Sequence, residues 1–263
     1  MAVFTDFTES ERDQIANAYR LGPLTSVIGI ADGDVETTFL FRSPRGDFIV
    51  TLFENGAEPL DLERAFQTME ALAAVGIPCP ATVRTEEGAA TIMVSGKLAA
   101  VVGFVPGSLP SDATVEKCRA LGVVAAQIHD TLRRPARAAS AGLPRGPIHG
   151  ALTRDNVFFL GSAVSGVINF RLRHDDVLIF ELARIMAHWT MAGDGRLNDV
   201  RAKALLAGYE SARPLSDAER QALPAFLMAA SAAFFAEHGG PADVEVRAHA
   251  TFHCAQKIVG AGR

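Results

Sequence analysis

The sequence predicts an α+β chain in two parts: a small antiparallel-sheet lobe over residues 1–106 and a mainly helical lobe over residues 107–263. Three observations carry that expectation. Before Pro106-Gly107, short β-rich runs alternate with turns containing Gly and Asp. After it, apolar residues recur at helical spacing, with Ala and Leu enriched. Set among those helices is one polar stretch, His149-Gly150-Ala151-Leu152-Thr153-Arg154-Asp155-Asn156, followed by Val157-Phe158-Phe159 and then Asn169-Phe170.

Taken in order, Thr8-Glu9-Ser10-Glu11 offers a capping start for an amphipathic helix that runs through Tyr19-Arg20 and stops near Gly22-Pro23. Val27 to Ala31 and Thr37 to Arg42 read as strands around the turn Asp32-Gly33-Asp34. A second turn, Ser43 to Asp47, leads to a strand at Phe48 to Phe53, which completes a meander. After Pro59, Leu62, Phe66, Met69, Leu72 and Ala73 mark one face of a helix from Leu60 to Val75, closed by Gly76. Ile77-Pro78-Cys79-Pro80 cannot be helix interior, because proline lacks the N–H and clashes with the preceding turn. Strands at Thr91 to Val94 and Ala99 to Val105 bracket Ser95-Gly96.

In the second part, Asp112 or Thr114 caps a helix that reaches about Leu132. A linker rich in Arg, Ala, Gly and Pro, Arg133 to Pro147, leads to His149. Val157 to Leu160 and Val164 to Phe170 form a hairpin through Gly161-Ser162. Leu178 to Met191, Leu197 to Ser211, Asp217 to Ala236 and Val244 to Val259 read as helices, with a break at Gly239-Gly240-Pro241.

Composition bounds the function. A hydrophobic share of 49% with 21% charged residues describes a globular chain. A net charge of −5 without a basic block argues against a nucleic-acid partner, since phosphate backbones need clustered Lys and Arg. Apolar runs stop short of membrane-spanning length, and the N-terminus has no signal-peptide pattern. Cys79, Cys118 and Cys254 lie far apart and read as buried reduced thiols, which fits a cytoplasmic setting. His249 and His253 share a helix face but lack a third metal ligand; His174, His188 and His238 stand singly.

The polar stretch has the spacing His-x-Asp-x-x-x-x-Asn of a kinase catalytic loop, followed by the strand and Asp-Phe pair that carry a metal ligand. Ala151 stands at the catalytic Asp, and Asn169 at the metal-binding Asp. Gly29 to Gly33 with Phe39-Leu40, Ile49 to Glu54, Gly76 to Pro80, Asp155 to Phe159, Ser165 to Ile168, Leu205 to Tyr209 and Arg213 to Ser216 follow in the same order as in a known group. On these stretches the chain resembles the bacterial homoserine kinase family, a branch of the aminoglycoside-phosphotransferase group with the bilobal protein-kinase-like fold. The resemblance implies ATP and magnesium as cofactors and a hydroxyl-bearing small molecule as the substrate.

It also implies residue roles. Gly33 would lie over the nucleotide phosphates, although two flanking Asp would repel them. Val102 and Phe104, on the segment Ala100 to Val105, would meet adenine through their backbone. Asn156 would touch both nucleotide and metal, with Asn169 as second metal position. His149, Ala151 and Asp155 make up the catalytic loop, His149 as a loop anchor rather than a base. Glu181 would brace that loop from a helix, hydrogen-bonding its amides. The strand Phe48 to Glu54 has Thr51 and no Lys; Glu63 and Glu70 could pair with a basic group, but a solvated helix face is the expectation. Asp155, Asp175 and Asp176 are the carboxylates that would have to replace the missing ones.

Two neutral residues at acidic seats set the functional expectation. Ala151 has no atom to accept a proton, and magnesium prefers anionic oxygen to an amide. The short link at Arg133 to Pro147 replaces a longer insertion that helps form the acceptor pocket in homoserine kinases. The expectation is a kinase-like protein impaired or silent in catalysis, with nucleotide or metabolite binding the activity that remains. The alternative is an active, atypical phosphotransferase acting on a hydroxyl of an amino acid or related metabolite. The oligomeric state stays open.

Overall fold

The computed structural model describes residues 7–30, 36–54, 57–133, 142–192, 196–237 and 244–260. Two compact units emerge: Met1–Ala74 with Cys79–Val105, and Val75–Pro78 with Pro106–Arg263.

The first unit opens with α1 (Glu9–Ala18), started by Thr8 in a capping box: Glu11 N–H donates to Thr8 Oγ1 at 3.3 Å, and Thr8 N–H donates to Glu11 Oε2 at 2.7 Å. Strands β1 (Ser26–Ile30), β2 (Glu36–Ser43) and β3 (Gly46–Phe53) form the expected meander; the turn at Gly33 lies outside the described residues. Helix α2 (Pro59–Ala74), β4 (Thr82–Val83), β5 (Thr91–Val94) and β6 (Lys97–Gly103) complete the unit. β6 pairs antiparallel with β3, β4 and β5. Alternation along β2 buries Thr37, Phe39 and Phe41, and α1 seats Ile15 and Tyr19 in the same core. The Tyr19 hydroxyl reaches the carbonyls of Ala90 and Ala99, each at 3.0 Å, which satisfies a polar atom inside that core.

One expectation here is corrected. Glu63 and Glu70 do not face solvent alone: Arg84, just after β4, donates to Glu63 Oε1 at 2.9 Å and to Glu70 Oε1 at 2.6 Å. These bonds hold both carboxyls below their ordinary range. Sequence distance hid the partner, since Arg84 comes ten or more residues after the helix face it serves.

The second unit begins with α3 (Val115–Leu132), capped by Thr114. Then follow β7 (Arg145–Ile148), β8 (Val157–Leu160), β9 (Ala163–Val167) and β10 (His174–Val177). Four helices close the chain: α4 (Leu178–Thr190), α5 (Asp199–Ala212), α6 (Asp217–Glu237) and α7 (Val244–Gly260). Much of the link from Arg133 to Pro147, His238 and the break at Gly239-Gly240-Pro241 lie outside the described residues.

Helix α3 crosses α5 on two glycines. A Cβ on Gly122 would sit 2.1 Å from the Leu205 carbonyl oxygen, and one on Gly208 2.1 Å from that of Arg119. No side chain fits there. Helix α4 buries Leu178, Ile179, Leu182, Ile185, Met186 and Trp189, so it is a core helix apolar on most sides.

The hairpin β8–β9 is shorter than the sequence suggests, because Asn169 adopts a left-handed conformation (φ 72°, ψ 38°) and turns the chain into a single 3₁₀ turn, Phe170–Leu172. Strand β10 pairs antiparallel with β7 and went unforeseen, since His174-Asp175-Asp176-Val177 has no apolar alternation. Cys118 is buried as expected, whereas Cys79 and Cys254 are only partly buried; all three thiols are free. Among the described residues, no helix is long and apolar enough to cross a membrane.

Candidate active site

The loop between β7 and β8 is built from its inner side outward. Gly150 turns it at φ +85°, where a Cβ would meet the His174 ring at 2.8 Å and the Leu172 carbonyl oxygen at 2.9 Å, so glycine is required. Helix α4 then holds the loop at four points. Glu181 accepts from the amides of His149 (Oε2, 3.0 Å) and Gly150 (Oε1, 2.5 Å). Arg184 Nη1 donates to the Gly150 carbonyl at 2.9 Å, and Trp189 Nε1 donates to the Leu152 carbonyl at 2.7 Å. The bracing role expected of Glu181 is what the geometry shows.

His149 is fully buried and both ring nitrogens are committed. Nε2–H donates to the Ile168 carbonyl at 2.8 Å, and Nδ1 accepts from the Ala151 amide at 3.2 Å. Burial pushes its pKa below the ordinary imidazole range, against the opposing pull of the Glu181 charge. It is a neutral strut tying the loop to the segment that carries Asn169.

Behind Glu181 runs a buried polar chain. His129 Nε2 donates to Glu181 Oε2 at 2.7 Å, and His129 Nδ1 lies 2.6 Å from the Tyr209 hydroxyl. Arg213 Nη1 donates to that hydroxyl at 3.1 Å, and Arg213 Nη2 to Glu219 Oε1 at 2.8 Å. Because Arg213 donates into the hydroxyl oxygen, the Tyr209 O–H can point at His129 Nδ1. Burial pushes the Tyr209 hydroxyl pKa up, which keeps it protonated. Burial alone would also raise the Glu181 carboxyl, but the His129 hydrogen bond and the loop amides outweigh it and hold it below the usual range. The sequence pointed to Glu181 and its loop; it named Tyr209 and Arg213 only as ends of matching stretches, without a role, and missed Glu219.

The outer side of the loop is different. Ala151 presents a methyl group. Asn156 turns Nδ2 back onto the Ala151 carbonyl at 2.9 Å and toward Thr153 Oγ1 at 3.4 Å, which leaves its amide oxygen as the one atom for a ligand. Ile168 N–H donates to the Asn156 carbonyl at 3.0 Å, so the chain leading to Asn169 is tied to this loop. Asn169 is exposed, as is Asp155. Asp175 is exposed on β10, while Asp176 caps Val177 N–H at 2.6 Å and lies 3.5 Å from Arg145. Among the described residues, no group of three His, Cys, Asp or Glu side chains could hold a metal ion.

In the first unit, Val102 is a partly buried β6 residue in register with Ile49 and Thr82, and Phe104 is exposed at 48%. The Phe104 N–H is already donated to the Asp47 carbonyl at 3.0 Å, so its backbone offers only an acceptor. Gly33 falls outside the described residues.

Beside Ala151 lies a shallow, solvent-open hollow, walled by Ile148, Thr153, Arg184, Ile185 and His188 among others. Arg184 and His188 were not singled out as site residues. Their spacing from Glu181, three and seven positions along α4, places all three on one helix face and would have found them.

Against known proteins the matches are extensive. The profile of the phosphotransferase enzyme family (APH) matches residues 26–141 and 132–215. The homoserine kinase of Gluconacetobacter diazotrophicus is 34% identical over 278 aligned residues, covering 89% of this chain and 87% of the relative. That of Acidiphilium cryptum is 33% identical, with 89% and 86% covered. The alignment with the first runs longer than this chain, so the relative carries residues this chain lacks, and the two profile segments overlap at 132–141, inside the short link.

Among solved structures, an aminoglycoside phosphotransferase from Alicyclobacillus acidocaldarius superposes with a TM-score of 0.65 at 12% identity, covering 89% of this chain and 90% of that one. A microcompartment-associated aminopropanol kinase gives 0.65 at 14%, with 97% of each chain covered. A spectinomycin phosphotransferase solved with ADP and spectinomycin gives 0.59 at 11%, covering 98% and 99%. The sheet-bearing first unit and helical second unit thus have the kinase-like fold of these enzymes, and the chain belongs to the phosphotransferase enzyme family, among the homoserine kinases.

Proposed function

We propose that this protein is a catalytically silent member of the homoserine kinase family that binds a small-molecule ligand without transferring phosphate efficiently. The observation that carries this reading is the contrast within one loop. Its frame is intact down to the Asn156–Ala151 bond, yet its reactive seat holds a methyl group. A missing general base costs about 10²–10⁴ in rate. The metal seat compounds the loss: Asn156 and Asn169 offer two neutral amide oxygens, a donor set that does not fit magnesium.

Nucleotide binding is the activity expected to remain, because solved relatives of the fold hold ADP and adenine contacts depend on backbone rather than on the lost carboxylates. The alignment with the Gluconacetobacter relative, longer than this chain, supports the loss of residues relative to homoserine kinases. Three free thiols favour a reducing, cytoplasmic setting.

Calorimetry with ADP and ATP, with and without magnesium, and a coupled phosphotransfer assay on L-homoserine test the reading. The expected outcome is nucleotide binding indifferent to magnesium, with turnover at least about 100-fold under the ~1–100 s⁻¹ of ordinary kinases. Turnover in the ordinary range, lost on Asn156→Ala, would overturn it. The competing reading, an active atypical phosphotransferase, draws on one observation: Asp155 is exposed immediately before Asn156. Under it, Asp155→Asn would abolish that turnover.

A further inference from the structure

We propose that His249 and His253, on the exposed side of α7, form a two-imidazole site for a borderline divalent metal of the Zn²⁺ or Ni²⁺ class, completed by water.

Spacing is the first ground. Residues four apart on a helix stand one above the other, with Cβ atoms about 5–6 Å apart. Two imidazoles so related can reach one ion at the ~2.0–2.1 Å of a zinc–nitrogen bond, and helical histidines at this spacing do chelate zinc. α7 turns Ala248, Thr251, Ala255 and Ile258 inward. The adjoining row, His249, His253 and Gln256, is exposed, so an ion keeps room for its waters there.

The second ground is how the imidazoles are spent. His129 and His149 have both nitrogens engaged inside the protein. His174 Nδ1 rests on the Leu172 carbonyl, and His188 packs against Phe234 with Glu237 4.0 Å away. His249, by contrast, makes no hydrogen bond or ion pair with the described residues. In His253, Nδ1 lies 3.4 Å from Gln256 Oε1. That oxygen only accepts, so the proton sits on Nδ1 and the Nε2 lone pair is left free. Metal-ligating histidines show this pattern: an outer partner holds one nitrogen, fixes the tautomer and steadies the ring for the other. The ring also stands edge-on to Phe252, with centroids 5.7 Å apart.

The third ground is selectivity. Imidazole nitrogen suits zinc, nickel and copper, whereas magnesium takes oxygen. Cys254 follows His253 directly, yet its thiol is spent elsewhere, donating to Asp199 Oδ1 at 2.7 Å. Burial, with that bond, pushes its pKa up to about 11, so it stays a thiol and off the metal. With two protein ligands the site holds its ion less tightly than a closed structural zinc centre of four, and loading is reversible.

This site does not depend on residue 151 or on turnover. The test uses the full chain, free of any purification tag and stripped of metal by a chelator. Zn²⁺, Ni²⁺ and Co²⁺ are titrated against a chromophoric chelator, with Mg²⁺ as control. One equivalent of Zn²⁺ and of Ni²⁺ is expected to bind saturably, at least tenfold more weakly in His249→Gln and in His253→Gln, and Mg²⁺ should not compete. Gln256→Ala, which keeps both imidazoles, should weaken binding about tenfold. The Co²⁺ complex should lack a thiolate charge-transfer band, and Cys254→Ser should bind as the parent does. Since both histidines are exposed, their variants should melt with the parent when metal-free, while saturating Zn²⁺ raises the melting temperature of the parent alone. No saturation by any of the three ions, binding unchanged in either histidine variant, or a thiolate band would overturn the site. Unchanged binding in Gln256→Ala would overturn the orienting role given to that amide.

Discussion

The two sides of the His149–Asn156 loop have had different fates. On the inner side, Glu181, His149, Arg184 and Trp189 supply a complete set of hydrogen bonds, continued through His129, Tyr209 and Arg213 to Glu219. On the outer side, Ala151 presents a methyl and Asn169 an amide, at what the proposed reading takes as the seats that carry acids in kinases. The inner bonds are buried, so losing any one leaves a desolvated partner unpaired, and the fold itself resists their loss. The outer residues touch solvent, and the fold is nearly indifferent to them. Under the proposed reading, the groups of the chemistry are lost while the loop that displayed them is kept.

That contrast can be broken from the inner side first. Glu181→Ala would leave two loop amides and His129 without their acceptor and is expected to cost about 3–5 kcal/mol in urea unfolding. His149→Gln, which frees the Ile168 carbonyl and the Ala151 amide, should cost about 1–3 kcal/mol by the same measurement.

Acid should act on the inner side too. Both His149 and Glu181 have folded-state values held below their ordinary ones. Each therefore contributes stability that is complete above its unfolded-state value and lost as pH falls toward the folded one. For His149 the loss begins below pH ~6.5, and for Glu181 below ~4.3. Melting temperature should thus decline from about pH 6.5 downward, and His149→Gln should remove the first part of that decline. A flat profile between pH 7 and 5 in the parent protein would contradict the assignment of His149 as a neutral strut.

The smallest stability effect is expected on the outer side. Ala151→Asp with Asn169→Asp, at a partly buried and an exposed position, should change unfolding free energy by about 1 kcal/mol or less. Under the proposed function, the same double variant should bind magnesium more tightly than the parent by calorimetry. Loss of several kcal/mol in this variant would mean that the outer seats had become structural.

Much of this was legible beforehand. The capping box at Thr8, the meander, the helix closed by Gly76 and the four C-terminal helices follow from local periodicity and turn chemistry. The loop could be placed by its spacing, and Glu181 by the resemblance to homoserine kinases. What escaped depended on partners distant in the chain. Arg84 reaches back to α2, β10 finds β7 without any pattern of its own, and Tyr209 meets His129 across 80 residues.

The sequence by itself determined which atoms are available at the loop: no carboxylate at 151 or 169, an amide at 156 and a histidine at 149. Only the tertiary structure decided how those atoms are spent. It turned both His149 nitrogens inward, closed the Glu181 oxygens on loop amides and set Arg184 on the Gly150 carbonyl beside Ala151. The reason is physical: composition is written along the chain, whereas burial and hydrogen-bond satisfaction are properties of groups that meet only once the helices have packed.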